Sequence, residues 1–394
     1  MKFLIYLLLI LQLTGCVITQ TPENGTPPGE VVRPENKGER PEEKKEVVPR
    51  ENPDSLFYEY EEEAMKLLSK LSIEEKIGQM FLVRCPEDEK LQLYLSMKAG
   101  GFIMFGKDFA GKTKTEVIDN INYFQENSPI PMIIGVDEEG GSVVRVSSNP
   151  KLAEEAFKSP QELYKLGGYE KIKEDTEEKS QLLKSLGINL NLAPVADLST
   201  DPLDFIFDRS FGKPAEETAK FVKIVVETAK ENNISSTLKH FPGYGNNLDT
   251  HTASAYDRRP YEEFINSDFI PFKAGIESGV ESVLVSHNII ESIDPTLPAS
   301  LSKNVIDILK DDLNFTGIIM TDDLSMGAIR EFNSDYPPEV MAVLAGNDML
   351  IVTDFERAYD SLLSAVNNEI ITEDRINDSL LKILKWKYYL GLLK

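Results

Sequence analysis

The stretch from Lys239 to Thr252, KHFPGYGNNLDTHT, concentrates side chains that can exchange protons. It holds His240 and His251, two of the three histidines in the protein. Asp249 and His251 are two positions apart, so in an extended segment the carboxylate can hydrogen-bond the imidazole. A histidine held in this way can act as general acid and base near neutral pH, a role worth about 10² to 10⁴ in rate. The stretch predicts an acid-base site, with a surface Asx turn as the alternative.

Polar side chains also follow other short apolar runs of the chain. They are Asp137 in GVDEEGG, Asp197 in APVAD, Lys239 and His240, Ser286 and His287, and Asp322 and Asp323. An aspartate after a strand commonly caps a helix or forms a turn, and we assign that role to Asp323. Asp322 directly ends a hydrophobic run, so we expect its carboxylate to project into an active site.

Eight short apolar runs with strand character alternate with helical segments. The runs are Gln79 to Val83, Gly101 to Phe105, Met132 to Val136, Asn189 to Leu192, Ser235 to Leu238, Ser282 to Val285, Gly317 to Met320 and Met349 to Val352. The helical segments include Ala215 to Glu231, Tyr261 to Glu277, Lys303 to Leu313 and, at the end, Glu356 to Leu392. This alternation predicts an α/β fold, a (β/α)8 barrel of the TIM type forming a single catalytic domain over residues 55–394. The last helical stretch is expected to close the barrel. A doubly wound open sheet is the main alternative.

The chain begins with a basic residue, an apolar run and small residues before Cys16, in the order MKFLIYLLLILQLTGC. This pattern predicts a signal peptide over residues 1–15. The LTGC ending resembles the lipobox of bacterial lipoproteins, which implies that Cys16 carries the lipid of an exported protein anchored in the cell envelope. A non-lipidated signal peptide or a membrane anchor is the alternative. Residues 16–54 are rich in Pro, Glu and Lys, a composition that predicts a disordered tether.

The formal net charge of −24 excludes a typical nucleic-acid partner, which needs a basic patch to release counterions. With Cys16 lipidated, Cys85 has no cysteine partner, so neither an intramolecular disulfide nor a cysteine metal cluster is expected. A metal site built from His240, His251 and His287 with nearby aspartates is an alternative. Lys239 would repel such a cation, and we therefore expect no metal or organic cofactor.

Several motifs in order along the chain resemble glycoside hydrolase family 3, and in particular its single-barrel β-N-acetylglucosaminidases. The motifs are LSIEEKIGQM, GVDEEGG with Arg145 behind it, APVAD, DRSFG, KHFPGYG with its Asp-Thr-His, and TDDLSM. The resemblance covers about Leu71 to the C-terminus and implies the barrel already predicted from the alternation of strands and helices.

The resemblance implies a role for each candidate residue in a retaining double displacement. Asp322 would be the nucleophile, His251 the general acid and base, and Asp249 the group that orients His251. The residues that would grip the terminal sugar are Asp137, Arg145, Arg209, Lys239 and His240. Lys, Arg and Asp suit that task because each can hydrogen-bond several hydroxyls.

The loop between the sugar-gripping pair and the dyad departs from the family pattern. Tyr244 stands where a second histidine is usual, and Thr250 replaces the usual Ser. Three residues separate Gly245 from Asp249 where four are usual, and a proline expected after the dyad is missing. Ser142 follows the double glycine where Arg is common.

The function implied is an exo-β-N-acetylglucosaminidase that acts on a carbohydrate, removing terminal N-acetylglucosamine from peptidoglycan or chitin-type oligosaccharides. Two alternatives keep the barrel: a β-N-acetylglucosaminide phosphorylase, since a histidine repels phosphate less than a carboxylate does, or another exo-β-glycosidase. A non-catalytic sugar-binding surface lipoprotein is the alternative from another class. We expect a monomer.

Overall fold

Eight parallel strands surround the centre of the fold in the computed structural model, which describes residues 55–247, 249–250, 255–330, 332 and 335–394. These strands are β1 Phe81–Arg84, β2 Gly101–Met104, β3 Ile133–Val136, β4 Leu190–Asn191, β5 Ser235–Phe241, β7 Ser282–Val285, β9 Ile318–Thr321 and β10 Leu350–Val352. Each overlaps one of the eight predicted runs. Two further strands, β6 Tyr256–Asp257 and β8 Ile289–Ile290, form a separate parallel pair that the sequence analysis did not predict.

The sheet closes on itself, which confirms the (β/α)8 barrel over the open sheet. The strand order is β10-β1-β2-β3-β4-β5-β7-β9. The two ends of that order meet at a parallel bridge between Met320 and Met349, and the amide of Thr321 donates to the Met349 carbonyl at 3.2 Å. The chain therefore places the C-terminal ends of all eight strands at one face, where barrel enzymes hold their active sites.

Helices connect the strands and pack around them. Their bounds are α1 Glu61–Leu68, α2 Ile73–Gln79, α3 Asp88–Ser96, α4 Gly106–Phe109, α5 Lys114–Glu126, α6 Pro160–Ser185, α7 Ala215–Glu231, α8 Tyr261–Glu263, α9 Phe269–Glu277, α10 Lys303–Asp307, α11 Gly327–Arg330, α12 Pro338–Ala345, α13 Phe355–Asn367 and α14 Glu373–Tyr389. Short 3₁₀ turns cover Tyr58–Tyr60 and Ala299–Leu301, and π-helical turns cover Phe264–Asp268 and Ile308–Asp312. Helix α7 has the predicted bounds. None of the described helices is long and apolar enough to cross a membrane.

Local capping explains where several of these helices begin and end. Ser72 and Glu75 form a capping box at the start of α2, with bonds of 3.3 and 3.0 Å. The predicted helical stretch from Glu356 to Leu392 is instead two helices. Helix α13 ends at a turn in which Glu369 has a φ of 58° and the amide of Ile370 reaches back to the Ala365 carbonyl at 2.9 Å, as in a Schellman motif.

Helix α14 closes the end of the barrel where the strands begin. Trp386 is fully buried, and its indole donates to Ser235 at the start of β5 at 3.1 Å. Lys387 donates to Gln79 at 2.6 Å and to the Gly100 carbonyl, just before β2, at 2.9 Å. The predicted closure by the last helical stretch is thus confirmed, and the opposite end remains for the site.

The described residues all fall within one folded unit, Glu51–Lys394. The predicted signal peptide of residues 1–15, the lipidated Cys16 and the tether of residues 16–54 lie outside the described residues, so these remain predictions. His251 also lies outside them.

Candidate active site

Lys239 lies at the centre of a buried ion-pair cluster near the C-terminal ends of the strands. Its Nζ is 2.7 Å from Asp137 Oδ1, after β3, and 2.6 Å from Glu139 Oε1. Burial alone would lower the pKa of Lys239, but the charges of Asp137 and Glu139 raise it. Lys239 is therefore a fixed ammonium group with donors directed toward the barrel mouth. Lys239 and His240 were predicted to follow β5. Strand β5 extends to Phe241, so both residues lie within its last part instead.

Arg209 joins this cluster from the loop that precedes α7. Its Nε and Nη2 donate to the two carboxylate oxygens of Glu139 at 3.0 and 2.8 Å, a bidentate ion pair. Burial acts against the ionised form, yet the charges of Lys239 and Arg209 hold the pKa of Glu139 well below its usual range. Glu139 thus orients two of the predicted sugar-gripping cations.

Glu139 was not among the site residues predicted from the sequence. A count of charges could have pointed to Glu139, because the predicted sugar-gripping residues include three permanent cations but only one acid, Asp137. Buried cations need nearby carboxylates. The two adjacent glutamates of GVDEEGG were the nearest carboxylates in the sequence that could meet this need.

His240 is oriented by Asp197, the acid that follows β4. The Asp197 carboxylate accepts from His240 Nδ1 at 2.7 Å and from the His240 amide at 3.0 Å. Arg209 Nη2 lies 3.3 Å from His240 Nε2. Because a guanidinium can only donate, this contact assigns Nε2 as the acceptor and places the ring proton on Nδ1. The bond to Asp197 thereby fixes the orientation of the His240 ring.

Arg145 reaches the site from the loop after β3. Glu138, which is fully buried, accepts from the backbone amides of Arg145 and Val146 at 2.7 Å each and from that of Ser147 at 3.1 Å, so it shapes this loop. The Arg145 guanidinium carbon lies 5.5 Å from the centre of the Phe105 ring. Its Nε is buried without a hydrogen-bond partner in the described part of the chain. Arg145 therefore keeps donor capacity for a ligand.

Asp322 lies directly after β9, on the far side of β7 from β5. Its amide donates to the Val285 carbonyl at 3.0 Å, and its Oδ1 accepts from the Asp323 amide at 2.8 Å. Asp323 forms the predicted turn, because its Oδ1 accepts from the Ser325 amide at 2.9 Å. The backbone around Asp322 is thus fixed by its neighbours.

His287 supports the same turn. Its Nε2 lies 3.0 Å from the Asp323 carbonyl, which can only accept, and its Nδ1 lies 2.7 Å from Ser300 Oγ. The imidazole is fully buried and bridges the two segments. Its place in this site is therefore the support of the Asp322 turn.

The predicted dyad is described only in part. Asp249 is half-buried, whereas its predicted partner His251 lies outside the described residues. Asp249 and Asp322 both act on Tyr244: burial raises the pKa of Tyr244 to about 12, and the two carboxylate charges add to that rise. Asp249 and Asp322 therefore lie near the same phenol.

The structure brings four of the predicted sugar-gripping residues into one network with Glu139 and Asp197. These four are Asp137, Arg209, Lys239 and His240. Arg145 contributes from the adjacent loop, and Asp322 from the other side of the barrel mouth. Together the groups present several fixed hydrogen-bond donors and a carboxylate, which suits a polyhydroxylated ligand.

Other chemistries lack support within the described ranges. No group of three or more His, Cys, Asp or Glu side chains among residues 55–247, 249–250, 255–330, 332 and 335–394 is arranged to hold a metal ion. Cys85 is buried, and burial raises the pKa of its thiol to about 12. Such a thiol is a poor nucleophile.

Comparisons with known proteins identify the family of this chain. A β-hexosaminidase of Nitrosomonas eutropha is 29% identical over 300 residues, which cover 73% of this chain and 83% of that protein. A glycoside hydrolase family 3 β-N-acetylglucosaminidase from Paenibacillus sp. str. FPU-7 superimposes with a TM-score of 0.76 at 30% identity, covering 82% of this chain and 63% of that one. This chain thus spans less than two thirds of that solved structure. A β-glucoside phosphorylase has a TM-score of 0.76 at 22% identity, covering 86% of this chain and 61% of its own, a likeness that shows the fold alone.

The family assignment rests on most of the chain. The N-terminal domain of glycosyl hydrolase family 3 matches residues 72–386, a range that contains every strand of the barrel and every predicted catalytic and sugar-gripping residue. The chain belongs to glycosyl hydrolase family 3 and is a glycoside hydrolase.

Proposed function

We propose that the protein is a retaining exo-β-N-acetylglucosaminidase that removes terminal N-acetylglucosamine from peptidoglycan or chitin-type oligosaccharides. The observation that carries the proposal is the buried cluster around Lys239, which presents fixed cations and a carboxylate in a family 3 barrel, with Asp322 following β9 on the other side of β7. The relatives named β-hexosaminidase and β-N-acetylglucosaminidase support the choice of sugar.

The cluster would bind the terminal sugar before any bond changes. Lys239, Arg209 and Arg145 would donate to its hydroxyl and acetamido oxygens, and Asp137 would accept from hydroxyl protons. Because Glu139 already holds Lys239 and Arg209, and Lys239 already holds Asp137, little ordering of these three side chains remains when the sugar binds. Preorganised donors of this kind stabilise the developing charge of a transition state.

The reaction would then proceed in two displacements. In the first, Asp322 attacks the anomeric carbon, the glycosidic C–O bond breaks, and protonated His251 gives its proton to the leaving oxygen. In the second, neutral His251 takes a proton from water, the water oxygen bonds to the anomeric carbon, and the bond to Asp322 breaks. Asp249 would stabilise the imidazolium form of His251 through its negative charge.

Asp322→Asn tests the nucleophile with an aryl β-N-acetylglucosaminide. We expect turnover to fall by about 10³-fold or more, because an amide cannot form the glycosyl-enzyme. Asp307→Asn, at a partly exposed aspartate that forms an ion pair with Lys303 on the helix layer, is the matched control and should keep wild-type turnover. Wild-type turnover by Asp322→Asn would refute the assignment. Mass spectrometry of intact enzyme with a fluorinated slow substrate would detect the covalent sugar.

Hydrolysis and phosphorolysis are separated by the product. We expect free N-acetylglucosamine at the same rate with and without inorganic phosphate. Accumulation of a sugar 1-phosphate would instead establish the phosphorylase. Sugar binding by calorimetry with no turnover on a broad panel of β-glycosides would establish the non-catalytic alternative.

We also propose that the protein is a lipoprotein of the cell envelope, attached through Cys16. The support is the signal-peptide pattern of residues 1–15 and the lipobox-like LTGC. Metabolic labelling with a clickable fatty acid should mark the wild type and leave Cys16→Ser unlabelled. A labelled Cys16→Ser protein would place the lipid elsewhere and refute the proposal.

A further inference from the structure

Tyr244 lies between the ion-pair cluster and the segment that carries the predicted dyad. It follows β5 in the loop KHFPGYG, and only 2% of it is exposed. Its ring packs edge-on against His240, with ring centres 5.6 Å apart, and its amide donates to Asp197 Oδ1 at 2.7 Å. Asp197 also holds His240 through its other oxygen. The ring and the backbone of Tyr244 are therefore fixed against the sugar-gripping residues.

The Tyr244 hydroxyl makes two bonds to a single residue, Thr250. It accepts from the Thr250 amide at 2.8 Å and lies 2.9 Å from Thr250 Oγ1. Since the oxygen accepts from the amide, its proton is available for Oγ1. Thr250 is 1% exposed, so neither bond is exchanged for one to bulk water. Both partners remain neutral and paired across the neutral pH range, because the pKa of Tyr244 is about 12.

A second contact ties Thr250 to the segment that follows Asp322. The Thr250 carbonyl accepts from the amide of Ala328, in α11, at 3.2 Å. Only five residues separate Asp322 from Ala328. Thr250 is thus held between the loop after β5 and the loop after β9, and its two sequence neighbours are Asp249 and His251.

We infer that Tyr244 is a positioning residue, whose hydroxyl holds Thr250, and with it the adjacent Asp249, against the segment that follows Asp322. This inference rests on the acid-base roles proposed above. It assigns to Tyr244 no contact with the sugar. Its removal should therefore impair proton transfer to and from the substrate and leave sugar binding intact.

Tyr244→Phe tests the inference because it deletes the hydroxyl and keeps the ring. With an alkyl or disaccharide substrate, whose leaving oxygen needs a proton, we expect kcat/KM to fall about 10- to 50-fold, as for the loss of two positioning hydrogen bonds. With a dinitrophenyl substrate, whose leaving group departs unprotonated, we expect kcat/KM within about threefold of wild type. The inhibition constant Ki of a competitive sugar inhibitor should be unchanged.

Two further variants separate positioning from general damage. Thr250→Val removes Oγ1 and keeps the amide, so its effect should be smaller, and adding it to Tyr244→Phe should cost less than the sum of the two. Tyr169→Phe is the matched control, because its hydroxyl bonds the Glu217 carbonyl at 3.2 Å in the helix layer. It should behave as wild type.

Equal losses with both substrate classes, or no loss with either, would overturn the inference. Failure of the proposed function is recognised separately, since the wild type would then hydrolyse no β-N-acetylglucosaminide. In that case hydrogen exchange tests whether Tyr244 holds Thr250. The Thr250 amide should exchange at least about 10-fold faster in Tyr244→Phe than in wild type, because a buried hydrogen bond is lost. Unchanged exchange would show that Tyr244 does not hold Thr250.

Discussion

Glu139 accepts two hydrogen bonds from the guanidinium of Arg209, at 3.0 Å from Nε and 2.8 Å from Nη2. The same carboxylate lies 2.6 Å from Lys239 Nζ. One buried acid therefore sets the geometry of two cations that would bind the sugar. Removing its charge would leave two buried cations with insufficient compensation, a costly arrangement.

We predict that Glu139→Gln lowers kcat/KM by about 100-fold, because Arg209 and Lys239 lose their common anchor. The loss should lie mostly in KM if sugar binding is the affected step. Glu155→Gln is the matched control, since Glu155 is an exposed acid 3.1 Å from Lys158 on the surface. Steady-state kinetics of both variants check this, and a Glu139→Gln enzyme within twofold of wild type would contradict it.

Gly243 supports the base of the loop that carries Tyr244. Its φ is 126°, and a Cβ added there would lie 2.3 Å from Asp268 Oδ1. Asp268 cannot easily withdraw, because Arg259 holds its two oxygens at 3.1 and 2.9 Å. We predict that Gly243→Ala lowers the free energy of unfolding by about 2 to 4 kcal/mol and impairs turnover.

Gly106→Ala is the control for that substitution, because a Cβ at Gly106 meets nothing within 4 Å. It should change the free energy of unfolding by no more than about 1 kcal/mol. Denaturant titration compares the two variants. Equal stability of both would show that the loop base accommodates a side chain.

Glu281 makes stability depend on pH at the closed end of the barrel. It is 1% exposed, and burial raises its pKa from 4.5 to about 7. Because the folded-state pKa lies above the unfolded one, the stabilisation is fully present below about pH 4.5 and is lost as the pH rises through about 7. The shift corresponds to roughly 3 kcal/mol.

We predict that Glu281→Gln, which cannot ionise, gains stability over wild type as the pH rises from 5 to 8. The comparison cancels titrations common to both proteins, including that of Lys387, whose pKa burial lowers to about 7. Thermal melts at both pH values provide the measurement. A difference between the two proteins that does not change with pH would contradict the assignment.

Cys85 should report unfolding. Burial raises the pKa of its thiol to about 12, so only roughly 10⁻⁵ of it is thiolate at neutral pH. We predict no reaction of the native protein with a thiol reagent and full reaction in denaturant. Cys16→Ser removes the only other cysteine and isolates this signal. Rapid labelling of the native variant would show that Cys85 is accessible.

The barrel itself was predictable because burial imposes local patterns. Strands covered on both faces read as short apolar runs, and all eight were located within a few residues. The bounds of α7 were predicted without error, since an amphipathic face repeats along one helix. Four of the candidate residues, Asp137, Lys239, His240 and Asp322, follow or end those strands, so their place at one face follows from parallel topology.

Only the tertiary structure decided which of these residues contact one another. Arg209 and Glu139 are 70 positions apart and Lys239 and Asp137 are 102 apart, so no local period reports their pairing. The same holds for the Ala328 amide, which reaches Thr250 from the segment after β9. Sequence determined the barrel and the chemical types at its mouth, because those depend on local burial. The ion pairs and the Thr250 anchor depend on distances between distant segments, which exist only after the barrel has closed.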